Sequence, residues 1–203
     1  MLVSTNRLIG TPILSMQATA QIATVESAIV DPNSLKIIAF KLGGGVVGKS
    51  SAYILDTKSI REYSRYGMVI DSIEELVEPD DIIKISEVLK LNFDLIGLKA
   101  ETKKGSKLGK VIDYTVTNDN FSVQQIIVKR PFIKSFMDPE LTIPRKEIVE
   151  VTDYKVIVKD EEKVIRARAE KEDFVPNFVN PFRKSEQDLA PVDTKSPADI
   201  DKQ

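Results

Sequence analysis

The segment Ile112-Asp-Tyr-Thr-Val-Thr117 decides the fold of this chain, because apolar and polar residues alternate along it. A period of two is typical of a β-strand with one buried face. The turn-forming residues Asn118-Asp-Asn120 follow, and the apolar run Val123-Gln-Gln-Ile-Ile-Val-Lys129 comes next. This order of strand, turn and strand predicts a β-hairpin within a chain of 203 residues.

The hairpin lies in one of two related halves, and this internal repeat is the strongest signal in the sequence. At an offset of 88 residues, the 18 positions of 54–71 give four identities and five further apolar pairs with 142–159. Three other pairings keep apolar positions in phase at offsets of 88, 87 and 86: residues 38–41 with 126–129, Ile9-Gly10 with Ile96-Gly97, and Leu35 with Phe121. Short strands about ten residues apart predict a small barrel or rolled sheet in each copy.

The second copy carries the clearer motif. It consists of a glycine-rich hairpin, a strand, an Ile-Pro segment and a closing strand: Gly105-Ser-Lys-Leu-Gly-Lys-Val-Ile-Asp113, Val123-Gln-Gln-Ile-Ile-Val-Lys129, Leu141-Thr-Ile-Pro-Arg-Lys-Glu-Ile-Val149 and Tyr154-Lys-Val-Ile-Val158. This pattern resembles the PRC-barrel family over about residues 93–160. In the first copy, Ala20-Gln-Ile-Ala-Thr-Val-Glu26 replaces the glycine-rich turn and Leu55-Asp-Thr57 stands where Ile-Pro-Arg would be. The first copy is therefore interpreted as a degenerate PRC-barrel.

The resemblance and the repeat together predict a mainly β protein with minor α structure: two tandem small PRC-type β-barrels, short connecting helices and a disordered C-terminal tail. The expected boundaries are 6–80 for repeat 1 with its terminal helix, 81–92 for a helical connector, 93–172 for repeat 2 with its terminal helix, and 173–203 for the tail. Ser72-Ile-Glu-Glu75 has the spacing of a capping box, and Asp81 is expected to cap a second turn. Paired carboxylates at these helix starts are interpreted as caps rather than as acid–base groups.

Composition excludes several chemistries. The chain has no His and no Cys, so it has no imidazole proton shuttle, thiolate nucleophile, disulfide or thiolate zinc site. We predict a protein that is not an enzyme and has no metal or cofactor. The net charge of −2 divides into +1 over residues 1–159 and −3 over 160–203, and gives no overall attraction to DNA. No apolar stretch is long enough for a transmembrane segment, and a cytoplasmic location is expected.

One segment matches the phosphate-binding P-loop pattern. Residues 43–50 read Gly-Gly-Gly-Val-Val-Gly-Lys-Ser, in which Gly43, Gly48, Lys49 and Ser50 are the pattern positions. A P-loop needs a helix that starts at the Lys-Ser pair, whereas Ser51-Ala-Tyr-Ile-Leu55 has β character. A β–β loop is therefore the favoured interpretation over nucleotide binding.

Two aromatic segments are candidate partner-binding sites. The loop after the second hairpin carries the basic and aromatic residues Arg130, Phe132, Lys134 and Phe136. The tail carries Phe174, Phe178 and Phe182. Partner surfaces favour Arg and aromatic residues, but the same rings could close a barrel end or pack onto the barrels instead. Both alternatives stay open for each segment.

The family resemblance implies a binding role more than a reaction. PRC-barrels include the C-terminal half of the RimM ribosome-maturation factor, which docks a small-subunit ribosomal protein, and the H subunit of photosynthetic reaction centres. The first hypothesis is a non-catalytic adaptor or scaffold with a protein partner. A RimM-like role in ribosome or RNA assembly is the alternative, and nucleotide binding through residues 43–50 is a distant third. Peripheral membrane association and a homodimer stay open.

Overall fold

The structure is a computed structural model that describes residues 1–45, 53–131 and 139–160. Within these ranges the chain is mainly β and forms two sheets, one of which curls into a half-barrel. The predicted fold class is confirmed at this level. The tail, residues 173–203, and most of the expected terminal helix of repeat 2 lie outside the described residues.

The first sheet follows a short N-terminal strand, β1 (Leu2–Ser4), and the helical turn α1 (Thr5–Leu8). Its strand order is β6-β7-β2-β3-β4-β5-β8. The strand bounds are β2 (Pro12–Ser15), β3 (Ala20–Asp31), β4 (Lys36–Gly43), β5 (Ile54–Asp56), β6 (Glu62–Ser64), β7 (Gly67–Ile70) and β8 (Leu76–Val77).

The second sheet follows helix α2 (Ile83–Lys90), and β1 joins it by pairing with β10. Its strand order is β12-β11-β10-β9-β14-β13. The bounds are β9 (Lys99–Thr102), β10 (Lys107–Thr117), β11 (Val123–Lys129), β12 (Glu140–Pro144), β13 (Ile148–Val151) and β14 (Lys155–Val158). Short 3₁₀ turns span Thr57–Ser59, Ile73–Glu75 and Arg145–Glu147.

The two sheets share their connectivity. Each has a long central hairpin, β3–β4 or β10–β11, and each contains one parallel pair, β2–β7 or β9–β14. Three register irregularities of each sheet also correspond, because they fall at Ile22, Glu26 and Ile38 in the first sheet and at Leu108, Ile112 and Gln124 in the second, which has a further one at Val149. Tyr114 and Val116 are buried, as the alternation of residues 112–117 predicts, but Ile112 is only half-buried. The difference arises because Ile112 lies at a bulge, where the regular alternation is interrupted.

The turns follow the sequence signals. Asp31 accepts hydrogen bonds from the Asn33 amide at 3.0 Å and the Ser34 hydroxyl at 2.7 Å, so it organises the β3–β4 turn. At the end of each turn a residue has positive φ, Leu35 at 49° and Phe121 at 52°. Both side chains are buried, so packing stabilises a backbone conformation that such residues rarely adopt.

The hydrophobic core is continuous across both sheets. It includes Leu8, Phe40 and Met68 from the first half and Val123 and Ile143 from the second. Phe121 joins the two halves, since its ring packs edge-on against Phe40 with centroids 5.4 Å apart and lies 6.1 Å from Tyr63. The two hairpins therefore share one apolar interior.

The helical elements only partly follow the predictions. Ser72 does cap the 3₁₀ turn between β7 and β8, where its hydroxyl accepts from the Glu74 amide at 3.2 Å. Asp81 does not cap α2: its carboxylate accepts from the Glu78 amide at 3.0 Å, and α2 starts after Ile82 with no side-chain cap. Local turn formation thus competes with capping for this short carboxylate. Within the described ranges, neither helix has the length and apolar character that crossing a bilayer requires.

Candidate functional site

Four lysines stand side by side on the second sheet. Lys155 on β14 pairs with Lys99 on β9, Lys99 pairs with Lys110 on β10, and Lys110 pairs with Lys129 on β11. Directly paired residues point to the same face of a sheet. Because neighbouring strands lie about 4.8 Å apart, these four side chains form a line about 14 Å long. We call Lys155, Lys99, Lys110 and Lys129 the lysine row.

The strand pattern explains why the row points outward. Along β9, Ala100 and Thr102 are buried while Lys99 is exposed, which is the alternation of a strand with one solvated face. On β10 the bulge at Leu108 lets Gly109 approach the next strand closely. Gly109 has φ of 145°, and a side-chain carbon there would overlap the Lys129 carbonyl oxygen. This glycine therefore permits the close backbone approach beside the Lys110–Lys129 pair.

The charges of the row are incompletely neutralised. Lys155 forms an ion pair with Glu101, with Nζ and Oε2 3.3 Å apart. Lys99, Lys110 and Lys129 are exposed and form no ion pair with any described residue. Like charges on directly opposed strand positions destabilise a sheet by a few tenths of a kcal/mol to about 1 kcal/mol. An arrangement that raises the energy of the isolated protein is suited to binding an anionic surface.

Two glutamates limit the positive field. Glu101 also lies opposite Lys107 on β10, and Glu140 on β12 lies opposite Lys129 at the far end of the row. The outward charges at these paired positions are therefore five lysines and two glutamates. The row is therefore basic, and its positive charge is confined to a narrow strip.

A shallow depression adjoins the row and connects it to the loop that sequence analysis singled out. Its volume is about 320 Å³, and its lining includes Lys99, Lys110, Gly109 and Pro131. Arg130, one of the predicted partner-binding residues, immediately precedes Pro131, and its amide donates to the Pro139 carbonyl at 2.9 Å across the base of this loop. The predicted loop thus begins beside the lysine row.

The first sheet has no such row at the positions that pair in the same way. There Pro12 pairs with Thr24 and Thr24 with Gly43, in place of Lys99, Lys110 and Lys129. The strand order and bulges of the two sheets correspond, so the basic strip cannot be a requirement of this strand arrangement. It is a property of the second sheet alone.

The structure describes only part of the P-loop match. Gly43 ends β4, and the first element after the match is strand β5, which pairs with β4 and β8. Gly48, Lys49 and Ser50 lie outside the described residues, as do six predicted partner-binding residues: Phe132, Lys134, Phe136, Phe174, Phe178 and Phe182. Those predictions stay predictions.

Lys99, Lys110 and Lys155 were not among the site residues predicted from the sequence. Single lysines on strands are ordinary surface residues, so none of them is notable in isolation. The signal that could have revealed the row is the position of each lysine within its strand. Once the parallel β9–β14 pair is known, Lys99 and Lys110 align with Lys129 and Lys155 across the sheet. Parallel pairing between distant segments cannot be read from local periodicity.

Within the part of the chain that the structure describes, the remaining titratable groups form no comparable cluster. The pKa of Asp71 is lowered by a hydrogen bond from the exposed Arg61 guanidinium. Burial raises the pKa of Tyr114 well above its ordinary value, and burial raises that of Tyr63. Among residues 1–45, 53–131 and 139–160, no group of three or more acidic side chains is placed to hold a metal ion.

Comparison with known proteins adds no assignment: no family model matches the chain, and no curated protein matches it.

Proposed function

We propose that this protein is a non-catalytic adaptor built from two tandem PRC-barrel-type domains, and that it binds a protein partner through the lysine row. The observation that carries the binding role is the row itself, in which three exposed lysines lack an ion-pair partner among the described residues. Partner surfaces on rigid scaffolds commonly place charge where it meets the opposite charge of the partner. The proposal places the adaptor in the cytoplasm, in keeping with a chain that has no Cys.

The correspondence between the sheets supports the tandem arrangement. The bulges of β3 and β10 and the positive-φ residues Leu35 and Phe121 are all 86 positions apart. The amides of these two residues donate the same local hydrogen bond, from Leu35 to the Asp31 carbonyl and from Phe121 to the Thr117 carbonyl. Shared irregular features are stronger support for duplication than shared strands, since strands are dictated by simple alternation. The glycine-rich hairpin of the second copy supports the PRC-barrel type.

The proposed function is tested by affinity capture with two matched variants of the full chain. The row variant carries Lys99→Gln, Lys110→Gln and Lys129→Gln. The control carries the same change at three exposed lysines outside the row: Lys41, Lys58 and Lys90. We expect the wild type and the control to capture the same proteins and the row variant to lose one or more of them. Capture of an identical set by all three would contradict a binding role for the row.

A RimM-like role in ribosome or RNA assembly is the second candidate, and the same row favours it because lysines also contact phosphates. Co-sedimentation with small ribosomal subunits distinguishes the two. Sedimentation with the subunits that depends on the row lysines supports the ribosomal role, whereas row-dependent protein capture without sedimentation supports the adaptor.

A further inference from the structure

We infer that the partner presents an acidic helix, which lies across the strands of the second sheet and places about one carboxylate per turn over the lysine row. This inference rests on the proposed function and adds the chemical nature and shape of the partner surface. It begins from the positions of the four lysines, which are fixed by the register of four adjacent strands.

The spacing of the row favours a helix over an extended peptide. Neighbouring row positions are about 4.8 Å apart, so three intervals cover about 14 Å. One helical turn rises 5.4 Å, and three turns therefore cover about 16 Å. An extended strand repeats a side chain on one face every 6.6 to 6.8 Å, so three intervals cover about 20 Å. The flexible lysine stems absorb a mismatch of about 2 Å more readily than one of about 6 Å.

The charges favour a short acidic segment over a nucleic acid. Glu140 lies opposite Lys129, so a phosphate backbone that continued past that end of the row would meet like charge, and Glu101 beside Lys155 adds a negative charge along the row. Domains that bind nucleic acids by charge commonly have a pI above about 9, whereas this sequence has a pI near 5.4 and a net charge of −2. A helix with a few carboxylates on one face matches a strip of this length.

The surface beside the row also offers apolar contact. The depression next to Lys99 and Lys110 also includes Gly109 and Pro131, which leave room for a small partner side chain between the carboxylates. Tyr154, immediately before Lys155 at the end of the row, is 81% exposed. Exposed tyrosines commonly anchor protein interfaces, and this one extends the contact beyond the charged strip.

The test uses the full chain and three fluorescent probes of defined chemistry. The first is a helical peptide rich in Ala with one Glu per turn on a single face. The second has the same composition, with the Glu residues distributed around the helix. The third is a single-stranded uridine RNA oligomer. Binding is measured by anisotropy at low ionic strength, for the wild type, the row variant (K99Q/K110Q/K129Q) and the control variant (K41Q/K58Q/K90Q).

We expect the one-face peptide to bind the wild type and the control about tenfold more tightly than the distributed peptide, and to lose this advantage with the row variant. Equal binding of the two peptides, or no binding of either, would overturn the helix inference, whereas the proposed adaptor function would still be decided by affinity capture. Tighter row-dependent binding of RNA than of the one-face peptide would overturn the inference in favour of a phosphate ligand. Equal losses in the row and control variants would overturn the assignment to the row.

Discussion

Lys36 and Ser122 pair with each other across the junction of the two sheets, and each stands at the same position of its hairpin, directly after the positive-φ residue. The hydrogen bonds around them are reciprocal. The Ile37 amide donates to the Phe121 carbonyl at 3.0 Å, and the Val123 amide donates to the Leu35 carbonyl at 2.9 Å. The two hairpin turns therefore meet through a local arrangement that is close to twofold symmetric.

This junction explains how two small sheets share one core. A small sheet exposes much of its apolar surface unless another element covers it. Here the turn of each hairpin carries a buried apolar residue, Leu35 or Phe121, and the reciprocal bonds hold the two turns together. The junction therefore brings apolar side chains of both sheets into one core.

The first prediction concerns Arg145, which strengthens the junction from the second sheet. Its guanidinium donates to the carbonyls of Ser34 at 2.6 Å, Leu35 at 2.9 Å and Val123 at 3.2 Å. Arg145→Ala should lower the free energy of unfolding by about 2 kcal/mol, because partly buried carbonyls lose a charged donor. Urea denaturation measures the change. The exposed neighbour is the control: Lys146→Ala should change stability by less than about 0.5 kcal/mol, and equal effects of the two substitutions would contradict this role.

The second prediction concerns the close strand approach beside the row. Gly109→Ala should lower the free energy of unfolding by at least about 2 kcal/mol, because the added carbon overlaps the Lys129 carbonyl and the backbone conformation has positive φ. Gly105 is a matched control, since its φ is also positive, at 83°, but no atom lies near the added carbon. Gly105→Ala should lower stability by about 1 kcal/mol. Chemical denaturation of both variants provides the comparison, and a smaller loss at Gly109 would contradict the overlap.

The third prediction is a pH dependence that originates in the β3–β4 turn. Burial raises the pKa of Asp31, but the hydrogen bonds from Ser34 and the Asn33 amide, with the positive charge of Lys84, lower it further, so the net shift is downward from the ordinary value of 3.8. The unfolded chain therefore binds the proton more tightly than the folded one. The stability that Asp31 contributes is present above pH 3.8 and is lost as the pH falls below it.

Asp31→Asn removes this titration. The variant should be less stable than the wild type at pH 7 by about 1 kcal/mol, and the difference should shrink as the pH is lowered through the acid range. Urea denaturation at a series of pH values between neutrality and strong acid measures this difference. A difference that stays constant with pH, or grows in acid, would show that Asp31 does not contribute as described.

Sequence reasoning predicts the strands and turns well, because their signals are local. The alternation along residues 112–117 and the turn chemistry of Asp31 both correspond to what the structure contains. Register is harder. The sequence alignment at an offset of 88 sets residues 38–41 against 126–129. The strand pairing instead makes Phe40 the counterpart of Ile126, at an offset of 86, because Phe40 pairs with Ala28 and Ile126 pairs with Tyr114. The offset between the two copies therefore increases from 86 to 88 in the loop after β4, where the second copy is two residues longer.

The site was less predictable than the fold. Sequence analysis chose Arg130 and the aromatic residues around it because clustered residues are visible in a linear sequence. The lysine row joins residues from four strands, and two of those strands meet in parallel only after the chain has closed through β13. Such a site depends on tertiary pairing, so local pattern alone cannot reveal it.

The fourth prediction is that the row lowers the stability of the free protein. Lys110 has a like charge on each side, Lys99 and Lys129, so Lys110→Gln should raise the free energy of unfolding by about 0.5 kcal/mol at low ionic strength. The gain should fall as salt screens the repulsion. Thermal unfolding at low and high salt measures both effects. Lys41→Gln on the first sheet is the control and should change stability by less; a loss of stability on replacing Lys110 would mean that the row is not under repulsion.

The most direct test of the central claim, that a protein partner docks on the lysine row, is site-specific photo-crosslinking in cells. In one variant a photoreactive residue replaces Ile127, which lies on β11 two positions before Lys129 and on the same face. In a second variant the photoreactive residue replaces Lys41 on the first sheet. The account predicts a covalent protein adduct at position 127 that disappears when Lys99 and Lys110 are changed to Gln, and no such adduct at position 41. The same adducts at both positions, or an adduct at position 127 that persists without the row lysines, would contradict it.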